Sequence, residues 1–297
     1  MKNNFTLLLI TFLSFPLFAQ RDFSKVEIKT FEVTDKIHML VGAGGNIGVL
    51  EGEDGIFMID NQYGPLSEKI KTAVGNISNQ PIKYVLNTHW HFDHTGGNLN
   101  FNTPGLTLVA HENVKIRLEN DQHVEPFGWD VKALATEGLP ELTFTDKLTL
   151  YLNGEEIVII HPERAHTDGD AITFFKTSNV IHAGDVFVRY GYPFIDASSG
   201  GSIDGIIDGL NMIISLSDEN TKIIPGHGEL ASRSDVMEVR NMLEETAAVL
   251  KKEIANGSSV DDIINANPLA KWDERWNNNF ITSKIFIQLV HASLTTN

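Results

Sequence analysis

The sequence predicts one layered α/β domain in which two β-sheets face each other with helices outside them. Short strand-like runs come in two series, and each series gives way to segments with helical periodicity. In both halves a loop rich in histidine and aspartate follows a strand. The 297 residues suffice for a large core, and no linker-like composition shift, low-complexity stretch or internal repeat divides them.

Residues 28–33, 37–41, 47–51 and 56–59 alternate or run apolar between turn glycines (Gly42, Gly44, Gly45, Gly52, Gly55), the pattern of an antiparallel meander. Residues 65–77 place Ile70, Val74 and Ile77 on one helical face, with Ser67 as a cap. A strand at 84–86 leads into the first histidine loop, 106–110 reads as a buried strand and 112–119 as a short helix. Residues 120–140 show little periodicity yet hold His123, Phe127, Trp129 and Leu134, which makes this long loop a candidate wall of a substrate cleft.

The second series comprises 142–144, 147–152, 155–161, 171–175 and 179–182, with Asn153-Gly154 as a hairpin turn. Ser202 caps a helix whose apolar stripe is Ile203, Ile206, Ile207, Leu210, Ile213 and Ile214. A strand at 222–224 ends at Pro225-Gly226-His227-Gly228. From Ser234, the spacing of Val236, Val239, Leu243, Ala247, Leu250 and Ile254 marks the longest amphipathic helix, closed by Gly257. The tail reads as helical at 260–265 and 279–294.

Lys2, the mostly apolar run 5–18 and Ala19 have the layout of a secretory signal peptide, and the run is too short for a comfortable membrane span. We therefore expect a leader over 1–19, a domain over 20–297, and a periplasmic or secreted protein that is not membrane-embedded once the leader is gone. Losing Lys2 takes the formal charge from −16 to −17. An acidic surface without any basic run repels phosphate backbones, which argues against nucleic acid and leaves a small-molecule substrate as the expected partner. The chain has no cysteine, so it has no disulfide, no thiolate ligand and no lipidated cysteine.

The chemistry concentrates in Thr88-His89-Trp90-His91-Phe92-Asp93-His94-Thr95-Gly96-Gly97. On a strand, alternation would send half of these side chains into a core; on a helix they would spread around the circumference. A loop can aim all four donors at one point. Imidazole nitrogen and carboxylate oxygen suit zinc, and with other geometry iron or manganese. His166 in His-Thr-Asp-Gly-Asp, Asp185 after Ala-Gly, and His227 each follow a strand in the same way. Seven donors are too many for one tetrahedral ion and about right for two.

On these motifs the chain resembles the metallo-β-lactamase-fold hydrolase superfamily, whose HxHxDH signature stands here as His89, His91, Asp93 and His94. The resemblance covers nearly all of residues 20–297 and implies a four-layer αββα sandwich. It also implies that His89, His91 and His166 hold one zinc ion, that Asp93, His94 and His227 hold a second, and that Asp185 bridges them. The full set with Asp185 is similar to glyoxalase II thioesterases and acyl-homoserine lactonases, whereas one subclass of zinc β-lactamases uses a cysteine that is lacking here. The implied activity is hydrolysis of a β-lactam, lactone, ester or thioester by a metal-bridging hydroxide, with Asp93 as the proton carrier. The alternatives are an iron oxygenase similar to persulfide dioxygenases and a non-catalytic periplasmic metal-binding protein. Asp60 and Asp168 are candidates to orient ligand histidines from behind, Asp170 is a further one, and Tyr190 and Tyr192 are candidates to polarise a substrate carbonyl.

Overall fold

The computed structural model describes residues 22–125, 127–278 and 280–295. The leader expected over 1–19 lies outside the described residues.

Strands β1 (Lys29–Glu32), β2 (Ile37–Val41), β3 (Ile47–Leu50) and β4 (Ile56–Ile59) form the antiparallel meander. Helix α1 (Ser67–Ile77) crosses to β5 (Ile82–Leu86), which lies parallel to β4. The histidine loop, with the single turns α2 (Phe92–Thr95) and α3 (Asn98–Phe101), crosses to β6 (Thr107–His111), parallel to β5. Helix α4 (Glu112–Leu118) follows.

Two elements differ from expectation here. The loop expected at 120–140 contains a hairpin of β7 (Gln122–Val124) and β8 (Trp129–Val131), whose three-residue strands are too short to show alternation. Strand β9 (Leu142–Phe144) pairs with β6 and closes the first sheet, although in chain order it heads the second series.

The second sheet runs β10 (Lys147–Leu152), β11 (Glu155–Ile160), β12 (Ile172–Phe175), β13 (Val180–His182) and β14 (Lys222–Ile224). The helix α5 (Ile203–Leu216) crosses to β14, which lies parallel to β13. Helix α6 (Arg233–Ala255) begins one residue before the expected Ser234, because Ser232 and Asp235 make a reciprocal capping box. Helices α7 (Val260–Ala266), α8 (Ala270–Trp276) and α9 (Ser283–Thr295) complete the described chain. Helix α8 was not expected, and α9 starts later than 279: the Asn278 side chain accepts the amides of Phe280 and Ile281 and turns the chain there.

Strand alternation explains the layering. Along β4, Ile56 and Met58 pack with Ile70 and Val74 of α1, while Phe57 and Ile59 face the other sheet. In β14, Ile224 faces the first sheet, whereas Ile223 packs with Leu210 of α5 and Leu243 of α6. The layers are thus α1, first sheet, second sheet, and α5 with α6 and α9: an αββα sandwich. Burying each such Ile or Phe stabilises it by roughly 1.5–3 kcal/mol.

Candidate metal centre

The C-terminal ends of β4, β5, β13 and β14 and the loop after β11 meet at one edge of the sandwich. Each delivers a side chain to the site: Asp60 after β4, the histidine loop after β5, His166 after β11, Asp185 after β13 and His227 after β14. Three groups of donor atoms lie within 4.8 Å of one another: His89, His91 and His166; His89, His94 and Asp185; and Asp93, His94 and His227. Asp185 sits between the first and third groups, with Oδ2 3.8 Å from His166 Nε2 and Oδ1 3.3 Å from His94 Nε2.

Facing nitrogens are close: 3.1 Å from His89 Nε2 to His91 Nδ1, 2.9 Å from His91 Nδ1 to His166 Nε2, and 3.3 Å from His94 Nε2 to His227 Nε2. Ligands about 2.0–2.1 Å from one tetrahedral ion stand roughly 3.3 Å apart, so this packing is a coordination shell in miniature. The far ring nitrogens of four of these histidines are anchored. Thr88 N and Oγ1 donate to Asp60, each at 2.7 Å, and His94 Nδ1 donates to Asp60 Oδ2, also at 2.7 Å. His89 Nδ1 meets Thr88 Oγ1 at 3.1 Å, His166 Nδ1 donates to Phe194 O at 2.9 Å, and His91 Nε2 donates to Asp196 Oδ2 at 3.0 Å. These anchors fix the tautomers that leave the inward nitrogens free to ligate.

The fit to cations shows in what the site leaves unsatisfied. Asp185 Oδ1 is buried and, apart from the 3.3 Å approach of His94 Nε2, has no polar partner among the described residues. A Cβ on Gly226 would stand 1.9 Å from that oxygen, and one on Gly45 2.1 Å from the His94 ring, so backbone approaches both donors as only glycine permits. Asp60 itself holds a left-handed backbone, with φ of 63°, which its three buried hydrogen bonds retain.

Electrostatics divide the donors. Burial, with the neighbouring imidazoles, holds His89 well below its usual range and His166 down at about 4, so both are neutral at neutral pH, the form that metal ligation needs. Burial also opposes charge on His94 and His227, but carboxylates outweigh it. Asp185, Asp93 and Asp60 raise His94 well above its usual range, and Asp185 and Asp93 push His227 up to about 9. Without metal, two protons thus balance the carboxylates that a cation would otherwise satisfy.

Asp196 was not anticipated from the sequence. It stands in the loop Ile195-Asp196-Ala197-Ser198-Ser199, where Ser198 and Ser199 hydroxyls also donate to its carboxylate. No strand-end pattern marks it. Asp168 differs from expectation: its carboxylate pairs with Arg117 through two 2.7 Å contacts and props up α4 rather than a ligand histidine. Asp170 accepts from the Thr167 amide and bonds its hydroxyl, and Tyr192 turns its hydroxyl to Asp273 and stacks on Phe286. Tyr190 lines the cavity above the donors. That cavity, about 570 Å³, also has Asp93, Asp185, His91 and His227 on its floor and Phe92, Trp129, Phe194 and Phe280 around it.

The sequence model of the metallo-beta-lactamase superfamily matches residues 40–245. A probable metallo-hydrolase of Methanocaldococcus jannaschii is 29% identical over 161 residues, covering 51% of this chain and 72% of that protein. The alpha subunit of a 2,4-dinitroanisole O-demethylase from a Nocardioides species is 22% identical, covering 46% of this chain and 39% of its own. Among solved structures, a metallo-beta-lactamase from Pontibacter korlensis superposes with a TM-score of 0.62 at 16% identity, over 73% of this chain and 99% of that one. The FIM-1 metallo-beta-lactamase from Pseudomonas aeruginosa, in its mono-zinc form, gives 0.59 at 18% identity, over 75% and 97%. Such distant likenesses speak for the fold and leave the substrate open. The family match runs over well more than half of the sequence, through every donor named above, and on that ground the chain belongs to the metallo-beta-lactamase superfamily.

Proposed function

We propose that the chain is an exported hydrolase that holds two zinc ions and cleaves a small molecule at an activated carbonyl of a β-lactam, lactone, ester or thioester. The observation that carries this reading is the position of Asp185, whose two oxygens face donors of two different groups. Export rests on the leader pattern of residues 2–19 alone.

Bound divalent ions would supply a water activated near neutral pH and a polarised carbonyl. The chain's own groups do the rest. Burial opposes ionisation of Asp93, yet His94 and His227 prevail and lower its carboxyl to about 2, so it is an ionised acceptor on the cavity floor. It is placed to take the proton of the attacking water and return it to the leaving group. Burial, with Asp185 nearby, keeps the Tyr190 phenol well above its usual range and protonated. Its oxygen accepts from the Phe194 amide at 3.3 Å, which leaves its own proton to donate towards a developing oxyanion. Phe92 and Phe194 keep bulk water from the floor.

The test is a turnover panel on the zinc-loaded protein covering β-lactams, lactones, thioesters and phosphodiesters. Hydrolysis of a carbonyl substrate is expected, and Asp93→Ala should lower it by about 10²-fold or more. Turnover confined to phosphodiesters, or oxygen consumption with one tightly held iron, would overturn the reading.

A further inference from the structure

The family match ends at residue 245, yet the chain beyond it returns to the site. The turn between α8 and α9 places Asn278 and Phe280 on the cavity wall, held by the Asn278 side chain. Phe280 stacks on Phe127 of the β7–β8 hairpin, with centroids 5.2 Å apart and planes 13° from parallel. Phe127 stacks in turn on Trp129, 4.5 Å away, and packs edge-on against Phe194 at 5.2 Å. Phe194 lies flat over the ring of His91 at 5.5 Å. One aromatic surface therefore runs from a metal-ligand candidate to the mouth of the cavity, contributed by three separate segments. Phe280 remains 41% exposed at that mouth, so a ligand can still cover apolar area there.

Charge selects further. Among the described residues lining this cavity there is no lysine or arginine. Arg189, beside Tyr190, is turned outward to Leu230 O at 3.0 Å and Asp235 at 3.2 Å. The hairpin carries Glu125 and Asp130, both exposed, with His123 between them. An anionic substituent at the wall would find no lysine or arginine beside it, whereas an uncharged flat group would find ring faces.

We propose that Phe280 and Trp129, backed by Phe127, form a selectivity wall that takes an uncharged apolar group of phenyl size or larger, flanking the scissile carbonyl, and disfavours substrates with an anionic group at that place. The wall's role in selecting among carbonyl substrates rests on the hydrolase reading; its capacity to bind such a group does not.

The test is equilibrium binding, by ligand-observed NMR, of N-benzylacetamide and of its para-sulfonate to the zinc-loaded full chain. Sulfonate is a poor zinc ligand, so the pair reports on the wall. The neutral amide should bind at least about fivefold more tightly, and Phe280→Ala should weaken it about two- to tenfold, the range of one aromatic contact. Phe280→Lys should shift the preference towards the sulfonate, while Tyr151→Ala, far out on β10 and 76% exposed, should change nothing. Equal or tighter sulfonate binding by the wild type, or neutral binding indifferent to both Phe280 variants, would overturn the proposal. If the neutral amide binds as described but no carbonyl substrate turns over, the wall stands and the hydrolase reading falls. If substrates turn over with selectivity indifferent to Phe280, the reverse holds.

Discussion

The floor and the wall of the cavity are built by opposite means. The floor is polar side chains at strand ends, locked from behind by buried hydrogen bonds: Asp60 to His94 and Thr88, Asp196 to His91, Phe194 O to His166. The wall is rings on a short hairpin and an inter-helix turn, held by stacking and two amides. A misplaced donor loses an ion, whereas a misplaced ring loses only contact area. Loops locked by buried hydrogen bonds therefore carry the donors, and loops held by stacking suffice for the rings.

The sharpest way to break the floor is to remove what stands behind it. Asp60→Asn and Asp196→Asn keep shape but remove the charge that orients His94 and His91. Each is expected to weaken zinc affinity about 10- to 100-fold in a chelator competition, with the far-ultraviolet circular dichroism unchanged. Affinity within twofold of the wild type for both would mean that packing alone sets the donors.

A second effect lies behind the floor, beside Thr167, and has a pH signature. Asp170 is buried, and desolvation outweighs its hydrogen bonds from Thr167 to raise its carboxyl to about 8. In the unfolded chain the group ionises near 3.8, so the folded state of the metal-free protein keeps a proton that the unfolded state has lost. This stability is fully present below about 4, declines as the pH rises towards about 8 and then levels off. Asp170→Asn is neutral throughout, so its melting temperature should gain on the wild type as the pH rises through that window. A constant difference would contradict the buried neutral carboxyl.

The smallest effect lies outside both regions. Asp168 and Arg117 are an ion pair with side chains 29% and 18% exposed, so Asp168→Ala should cost at most about 1 kcal/mol in denaturant unfolding and leave zinc content unchanged. Loss of zinc would restore the role the sequence had suggested for it.

How much was legible follows the same division. Strand-end donors advertise themselves, since His89, His91, Asp93 and His94 crowd one loop and His166, Asp185 and His227 each follow an apolar run. The layering was legible because two series of short strand-like runs each give way to segments with helical periodicity. What stayed hidden was set by tertiary pairing. Asp196 acts through a histidine 105 residues away, β9 joins the first sheet by pairing with β6, and Phe280 meets Phe127 only once the tail folds back. The hairpin region was marked as a cleft wall by its aromatics, but its strands are too short to show a period.

The most direct test of the account is the zinc content of the wild type and of Asp185→Ala after exhaustive buffer exchange, measured by elemental analysis beside circular dichroism. The wild type should retain about two zinc ions per chain, by the count of available donors. Asp185→Ala should keep its fold and the ion held by His89, His91 and His166, lose the second, and turn over at least about 10²-fold more slowly. An Asp185→Ala protein that kept two ions and full turnover would contradict the bridging position on which the proposed function rests.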